Sequence, residues 1–400
     1  MSLFLQVRHN LTVVPLSRRK VGSRIKNTTC MSNIHQKLFK AKRTWLSAAV
    51  AVLMLGLAGN TFKQSVRAAT GTASTIITNG KASSTASTIQ TAPSDITEDS
   101  FLKTKGIDVS QLDENDALKL ASLFHIFANQ ATLSADTNGN LAVGTLNAST
   151  DFGTRGTSDN LTDGDIDYIQ NITQPLNSNS FRNPTFNHVV LGKGVNVTIN
   201  GDQVMIDGVT MPNLTPSDVY QDTADNAYID FKQVFQELTI NATKFSNQSQ
   251  SVGVSENFSD MNNQYIDVSK AVATNGTVYV TIPFEYLTAS QPITIKGLSS
   301  DPNGPTIVMN VTGIPEGVAT ISTQTLLDYD DGTDDLVNGE SHQEPNHLLW
   351  NLGNGTQTFS FNGGRFMGSL LAPKATINAG VNIDGNIVAN EVNISGGESH

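Results

Sequence analysis

The amino-acid sequence predicts a mainly β protein: a β-solenoid or β-helix-like domain with one or two packed α-helices and a strand-rich inserted middle. Near the C-terminus, Gly368-Ser-Leu-Leu-Ala372 returns seventeen residues later as Gly385-Asn-Ile-Val-Ala389. A third segment of the same form, Gly139-Asn-Leu-Ala-Val143, lies far upstream. A period of about 17 residues is too short for a helical repeat but fits one solenoid rung. We therefore expect both ends of one domain to supply rungs, with residues 150–340 inserted as an excursion.

Alternating residues support the strands of these rungs. Ile377 and Ala379 alternate with Asn378, and the next repeat has Val392 and Ile394 around an Asn. This pattern places apolar side chains on one face of a strand and polar ones on the other. The inserted middle holds further alternating runs separated by Asn-Gly or Asp-Gly turns. These runs are 188–191, 195–199, 203–206, 277–282, 293–295 and 306–311.

Two segments have the spacing of helices. The segment Asp113–Phe127 has apolar residues at helical intervals and acidic residues in its first turn. We expect His125 to be a partly exposed residue of this helix rather than a ligand. The segment Asn226–Thr243 places Phe231, Phe235 and other apolar residues on one side.

Composition divides the chain into three parts. Residues 1–68 form a targeting region, residues 69–100 a Ser/Thr-rich disordered linker, and residues 101–400 the β domain. Twelve of the 25 Lys and Arg lie in residues 1–70, which contain no Asp or Glu. The rest of the chain has 13 basic against 36 acidic residues, a net charge of −23. Such an acidic surface argues against nucleic acid as a partner.

The targeting region has the features of a secretory signal. The apolar run Leu46–Gly59 follows a basic segment, and Val66-Arg67-Ala68 is a candidate cleavage site. Met31 is a candidate start. The segment Lys37–Trp45 resembles the K-x-Y-K-x-G-K-x-W signal of lactic-acid-bacterial surface proteins, with three departures from that pattern. We expect export to the cell surface of a Gram-positive bacterium and no transmembrane segment in the mature chain. The single cysteine, Cys30, precedes the cleavage site, which excludes disulfides afterwards.

The order of motifs in the β domain resembles the bacterial choice-of-anchor A domain. The C-terminal motifs are Leu348–Asn351, then a strand with alternating aromatic residues, then the two Gly-led repeats. The N-terminal motif is Phe124–Phe127 followed by Asn138–Gly144, where two Asn residues replace the usual charged pair. The same rungs are more loosely similar to ice-binding-like β-solenoids. Ice binding itself is not expected, because the sequence lacks a regular Thr-x-Thr array. No anchor is expected within the chain, which lacks an L-P-x-T-G motif.

One acidic cluster is a calcium candidate. Closely spaced carboxylates near a Gly can supply the oxygen ligands that calcium prefers. We interpret the cluster as a solvated acidic loop, with calcium as the alternative and no other cofactor. Its members are Asp328, Asp330, Asp331, Asp334 and Asp335. A second cluster, Asp163-Gly-Asp165-Ile-Asp167, alternates carboxylates as a loop or an edge strand would, with metal binding again the less favoured reading.

Two other features have a structural and a functional interpretation. His342, Glu344 and His347 resemble zinc ligands, but Pro345 between the histidines excludes the helical spacing that zinc motifs use. We expect Trp350 to fill the core beside the solenoid rather than to form a platform for a ligand.

The residues therefore favour a secreted bacterial cell-surface protein, structural or adhesive, that binds extracellular matrix, mucus or glycans. The alternative is a carbohydrate-active enzyme on a β-helix, either a polysaccharide lyase or a glycoside hydrolase. Such an enzyme needs carboxylates that converge with a basic residue in a groove. For this chain, that would mean the loop 328–335 facing Arg365 or Lys374 across a cleft. A third option, a cell-wall matrix protein without a specific ligand, stays open.

Overall fold

The computed structural model describes residues 88–112, 117–155, 162–333 and 346–400. All of them belong to the second of two units, 81–400. Several predictions fall outside the described residues: the targeting region, most of the linker, Asp334, Asp335, and the zinc candidates His342 and Glu344.

Short β-strands make up most of the described structure. The first nine are β1 Gln90–Thr91, β2 Ile126–Leu133, β3 Leu141–Ala148, β4 Asp165–Ile169, β5 Asn187–Leu191, β6 Val197–Asn200, β7 Gln203–Ile206, β8 Val209–Thr210 and β9 Val219–Gln221. The next seven are β10 Ser255–Asn257, β11 Gln264–Asp267, β12 Thr277–Pro283, β13 Ile293–Leu298, β14 Thr306–Thr312, β15 Val318–Ile321 and β16 Thr325–Tyr329. The last six are β17 Leu348–Asn351, β18 Thr358–Phe361, β19 Phe366–Met367, β20 Ser369–Ala379, β21 Ile383–Asp384 and β22 Ile387–Ile394.

Helices are few in the described ranges. The α-helices are α1 Ser100–Thr104 and α2 Phe231–Ser246. Short 3₁₀ turns occur at Ile96–Glu98, Val109–Gln111, Lys119–Leu123 and Phe284–Leu287. The side chain of Asp230 caps α2 by accepting a hydrogen bond from the Gln233 amide at 3.1 Å. The predicted helix 226–243 is thus confirmed, although it begins and ends later.

A single parallel sheet runs the length of the solenoid. Its strand order is β1-β9-β5-β4-β3-β2-β22-β20-β17-β14-β12, with β15 and β18 attached beside β20. After β1, which pairs with β9 at one end of the sheet, the chain passes to the middle at β2 and proceeds outward to β9. After α2 it resumes at the opposite end with β12, and it returns to the middle at β22, which pairs with β2. Rungs from the two ends of the domain therefore meet, as the sequence predicted, and the fold is a β-solenoid with packed helices.

The inserted middle extends this sheet rather than leaving it. Strands β4, β5 and β9 continue the sheet beyond β3, and β12 and β14 continue it beyond β17. The excursion that we expected is confined to α2, to the antiparallel sheet β6-β7-β8 and to the connecting loops. A third side of the solenoid is formed by β13 and β16, by β19 and β21, and by bridges to Ser399.

Four long strands, β2, β3, β20 and β22, each turn a corner of the solenoid. In β2, residues 126–128 and 130–133 pair with the neighbouring strands on either side of Asn129, which is skipped in the register. In β20 the register shifts between Ala372 and Thr376. The first half of each long strand lies on the side of the solenoid that packs under α2, and we call this side the helix-covered face. The second half lies past the corner on another side of the solenoid, which we call the open face.

Two apolar clusters lie on opposite sides of the strands that form the helix-covered face. One fills the solenoid interior, and the other packs between the strands and α2. Ile126 and Ala128 point into the solenoid interior, whereas Phe127 points outward and packs on α2. The ring of Phe127 lies 5.2 and 5.3 Å from the rings of Phe231 and Phe235. Trp350 is fully buried in the interior and donates from Nε1 to the Met367 carbonyl at 2.9 Å. Its predicted core role is confirmed.

The predicted helix 113–127 is wrong where the chain is described. Its centre is a 3₁₀ turn, Lys119–Leu123, and its end, Ile126 and Phe127, begins strand β2. Because the first half of β2 is buried on both surfaces, its apolar residues Ile126, Phe127 and Ala128 are continuous rather than alternating. Such a run cannot be distinguished from a buried helix by periodicity.

The domain also begins before the expected boundary at residue 101. Strand β1 pairs in parallel with β9, and Ile96 is buried. Asp99 is buried as well and accepts hydrogen bonds from the Tyr228 hydroxyl at 2.7 Å and from His188 Nε2, which lies 2.8 Å away. This network fastens the N-terminal segment to β5 and to the loop before α2.

Because of Asp99, the free energy of unfolding of the domain should fall at acidic pH. Burial alone would raise its pKa, but the hydrogen bonds and charge of His188 and the Tyr228 hydroxyl outweigh burial and hold the pKa below 3.8. Its contribution is therefore complete above pH 3.8 and is lost as pH falls through the lowered pKa. We expect Asp99→Asn to lower the free energy of unfolding by roughly 1–3 kcal/mol at pH 7, as measured in urea.

The difference between wild type and Asp99→Asn should shrink below pH 3.8. The matched control is Glu98→Gln, at the exposed neighbouring position, which should behave as wild type. A pH-independent difference would contradict this role of Asp99.

The glycines of the repeat allow adjacent rungs to approach closely. Gly385 has a φ of +150°, and a Cβ there would lie 2.5 Å from the carbonyl carbon of Gly368. We expect Gly385→Ala to cost about 1–3 kcal/mol, measured by urea unfolding. The control Gly194→Ala should change stability little, because no atom lies within 4 Å of its Cβ position. Equal stabilities of the two variants would contradict the close approach.

Candidate functional site: the open face

The open face displays two parallel ladders of outward-pointing side chains. It is built from six strands in the order β3, β2, β22, β20, β18 and β15. The first ladder is Thr145, Gln130, Glu391, Thr376, Thr358 and Val318. The second ladder is Asn147, Thr132, Asn393, Asn378, Ser360 and Thr320.

The register of the strands makes this surface regular. Residues between the ladders, such as Ala131 and Val392, are buried in the interior and fix the alternation. Because neighbouring strands lie about 4.8 Å apart, six strands present a surface about 24 Å long. Asn393 Nδ2 donates to Asn378 Oδ1 at 2.9 Å and to Glu391 Oε1 at 3.0 Å, so the central side chains brace one another.

The open face is polar but nearly uncharged. Of the twelve ladder residues, Glu391 is the single ionisable one, and the others are mostly Thr, Asn and Ser. Hydroxyl and amide groups both donate and accept hydrogen bonds. Such a surface suits a partner that is itself rich in hydroxyl groups.

A groove borders the open face at the corner where the long strands turn. It lies between α2 and this corner and has a volume of about 1210 Å³. Its corner wall includes Asn129 and Asn390, where Asn129 Nδ2 donates to Asn390 Oδ1 at 3.0 Å. Its helix wall includes Phe235 and Ile240, and the Ile240 side chain is largely exposed.

Charged residues of both signs also line the groove. Asp225 and Asp230 lie on the side of α2, together with Lys232, and Lys374 lies on the corner. The enzyme hypothesis required carboxylates and a basic residue along one cleft, and the groove contains both. The carboxylates are not those of the acidic loop, however. Arg365 is directed elsewhere, since its Nε lies 3.3 Å from Asp384 Oδ2.

The acidic loop is exposed where the chain is described. Asp331 Oδ2 accepts from the Ser300 hydroxyl at 2.5 Å, and Oδ1 accepts from the Thr333 amide at 2.9 Å. These bonds lower the pKa of Asp331 to about 2. Asp328 and Asp330 are also exposed. Within ranges 88–112, 117–155, 162–333 and 346–400, no three His, Cys, Asp or Glu side chains are grouped to hold a metal.

Two histidines have structural contacts. His125 is buried, and its Nε2 lies 2.7 Å from the Ser399 hydroxyl, so the expectation of an exposed helix position is wrong. The turn into β2 draws His125 inward, toward the last rung. His347 lies just before β17, and its Nε2 is 2.8 Å from the Asp301 carbonyl oxygen.

Sequence comparison identifies the family. Residues 117–400 match the family described as "Putative Ice-binding-like adhesive domain". The chain belongs to this family. An adhesive domain acts outside the cell or on its surface, which makes this chain an extracellular or surface protein. None of the helices in the described part of the chain has the length and hydropathy of a membrane span.

Other comparisons add little. No curated protein matches the chain. One similar solved structure is "Crystal structure of ice binding protein from an Antarctic bacterium Flavobacteriaceae", with 10% identity and a TM-score of 0.27. The match covers 78% of this chain and 49% of that chain, so this chain spans about half the length of that protein.

The sequence did not reveal several residues of the open face. Gln130 and Thr132 were hidden because β2 was predicted to belong to a helix. Thr320 and Ser360 lie in strands whose place beside β20 depends on register. The signal that could have found β2 is the apolar alternation of Ala131 and Leu133 around Thr132, which repeats that of Val392 and Ile394.

Proposed function

We propose that this chain is a secreted bacterial surface protein whose open face binds glycan chains of mucus or extracellular matrix. The observation that carries the proposal is the pair of regular ladders, which offers hydroxyl and amide groups at fixed spacings on one flat sheet. Glycans present hydroxyl groups at regular intervals along their length. The ladder side chains can form hydrogen bonds with these glycan hydroxyl groups. Because the ladders are already ordered, binding avoids the entropic cost of ordering their side chains.

The charge distribution supports the same partner. The mature chain is strongly acidic, yet the open face contains one carboxylate and no Lys or Arg. A neutral polar face avoids the desolvation cost that buried charges would impose on binding. Membership in the adhesive family agrees with this assignment. Export through the signal peptide predicted from the sequence is part of this proposal.

Substitutions at the centre of the open face test this function. We expect the double variant Thr132→Lys and Asn393→Lys to reduce binding to mucin and to glycan arrays by roughly tenfold or more, equivalent to about 1.4 kcal/mol. Two long cationic side chains on adjacent rungs would repel each other and hold a ligand off the surface. Binding is measured with the full chain by surface plasmon resonance.

A matched control is Thr294→Lys, which lies in β13 on the third side of the solenoid. It should retain wild-type binding, and circular dichroism should show both proteins folded. Equal binding by the open-face variant, or no binding of wild type to any glycan, would refute the proposal.

The groove keeps the enzyme alternative open, because carboxylates and lysines line it together. Incubating the full chain with polysaccharides and measuring new reducing ends and unsaturated uronate products distinguishes the two functions. An adhesin releases neither product. Product formation that Asp230→Asn abolishes would favour the enzyme.

A further inference from the structure

The solenoid interior contains two carboxylates on one strand. Asp165 and Asp167 are both completely buried in β4, and they project to the same side because side chains alternate along a strand. Their neighbours Ile166 and Tyr168 point the other way, toward α2. Strand β4 lies between β3 and β5, so the expectation of a loop or sheet edge for this cluster is wrong. Asp163, just before β4, is exposed.

The contacts of this pair supply no positive charge. Asp165 accepts hydrogen bonds from the Thr154 amide at 2.7 Å and from Asn183 Nδ2 at 3.0 Å. Asp167 Oδ1 accepts from the Leu141 amide at 2.8 Å. The nearby Arg155 is directed to Asp136 and Glu398 instead. All of the donors named for the pair are neutral.

Two buried acceptor oxygens, one in the pair and one on a neighbouring residue, have no hydrogen-bond donor among the described residues. Asp167 Oδ2 is one of them, and Asn187 Oδ1 is the other. Asn187 lies on β5 directly opposite Asp165 and points to the same interior side. Its amide nitrogen donates to the Asn183 carbonyl at 3.2 Å, and its amide oxygen is left without a donor. Burying such oxygens without a partner is costly.

The electrostatics require a compensating positive charge. Burial, and next the charge of Asp165, raise the pKa of Asp167 well above its ordinary value. A proton or a cation can supply the charge. A proton between Asp167 Oδ2 and Asn187 Oδ1 would partner only those two oxygens, whereas a cation would also contact the carboxylate oxygens of Asp165. An all-oxygen set of carboxylates and an amide is the chemistry of a hard divalent ion.

We propose that Asp165, Asp167 and Asn187 bind one calcium ion inside the solenoid. Calcium fits better than magnesium because it accepts irregular sets of carboxylate and amide oxygens, whereas magnesium demands octahedral geometry and retains its waters. The ion links β4 to β5 and neutralises the interior of the half-solenoid formed by β3, β4, β5 and β9. This site is separate from the exposed acidic loop and from the open face, and it does not depend on the proposed function.

Thermal unfolding of the full chain tests the site. The protein is unfolded in urea, refolded at pH 7.5 in millimolar CaCl2 or in EDTA, and then heated. We expect calcium to raise the melting temperature by about 5 °C or more, and calorimetry to give one ion per chain. Millimolar MgCl2 should give a smaller shift. In Asp167→Asn, which removes a charge but keeps the shape, the calcium shift should disappear.

The control is Asp331→Asn in the exposed acidic loop, which should retain the full calcium shift. If Asp167→Asn does not fold, Asn187→Ala provides the second test and should weaken calcium binding at least tenfold. Identical melting of wild type in CaCl2 and EDTA would overturn the proposal, because a proton then supplies the charge. A shift lost in Asp331→Asn but kept in Asp167→Asn would overturn it too, by placing the ion in the loop.

Discussion

The parallel pairing of β2 with β22 is the interaction on which the rest of the structure depends. This seam joins the first rung of the domain to its last, with Ile126 opposite Ile387 and Leu133 opposite Ile394. Each half of the solenoid on its own would have an open sheet edge in the middle of the molecule. Unpaired edges expose backbone donors and acceptors and invite aggregation. Closing the seam removes both edges and makes one continuous interior.

The open face exists because of that seam. Gln130 and Thr132 come from the start of the domain, whereas Glu391 and Asn393 come from its end, and the seam places them side by side. The same register keeps Ala131 and Val392 inside, so a slip of one residue would exchange buried and displayed side chains. The groove is built across the same seam, where Asn129 of β2 meets Asn390 of β22. Folding and surface chemistry therefore share one constraint.

The sequence predicted the architecture better than the site. The glycine-led repeats and the alternation in β20 and β22 were sufficient to predict a solenoid with rungs from both ends, because these features repeat along the chain. Strand β2 was missed because its first half is buried on both surfaces, which removes alternation there and leaves a run that resembles a helix. The ladders and the interior pair Asp165 and Asp167 depend on which strands become neighbours. That information lies in long-range register and not in local pattern.

NMR of side-chain amides tests most directly whether the open face is the binding surface. On adding mucin glycans, the Nδ2 resonances of Asn147, Asn378 and Asn393 should shift. Those of Asn257 and Asn303, which lie away from the face, should stay unchanged. Shifts confined to Asn129 and Asn390 in the groove, or to residues outside the open face, would contradict this assignment.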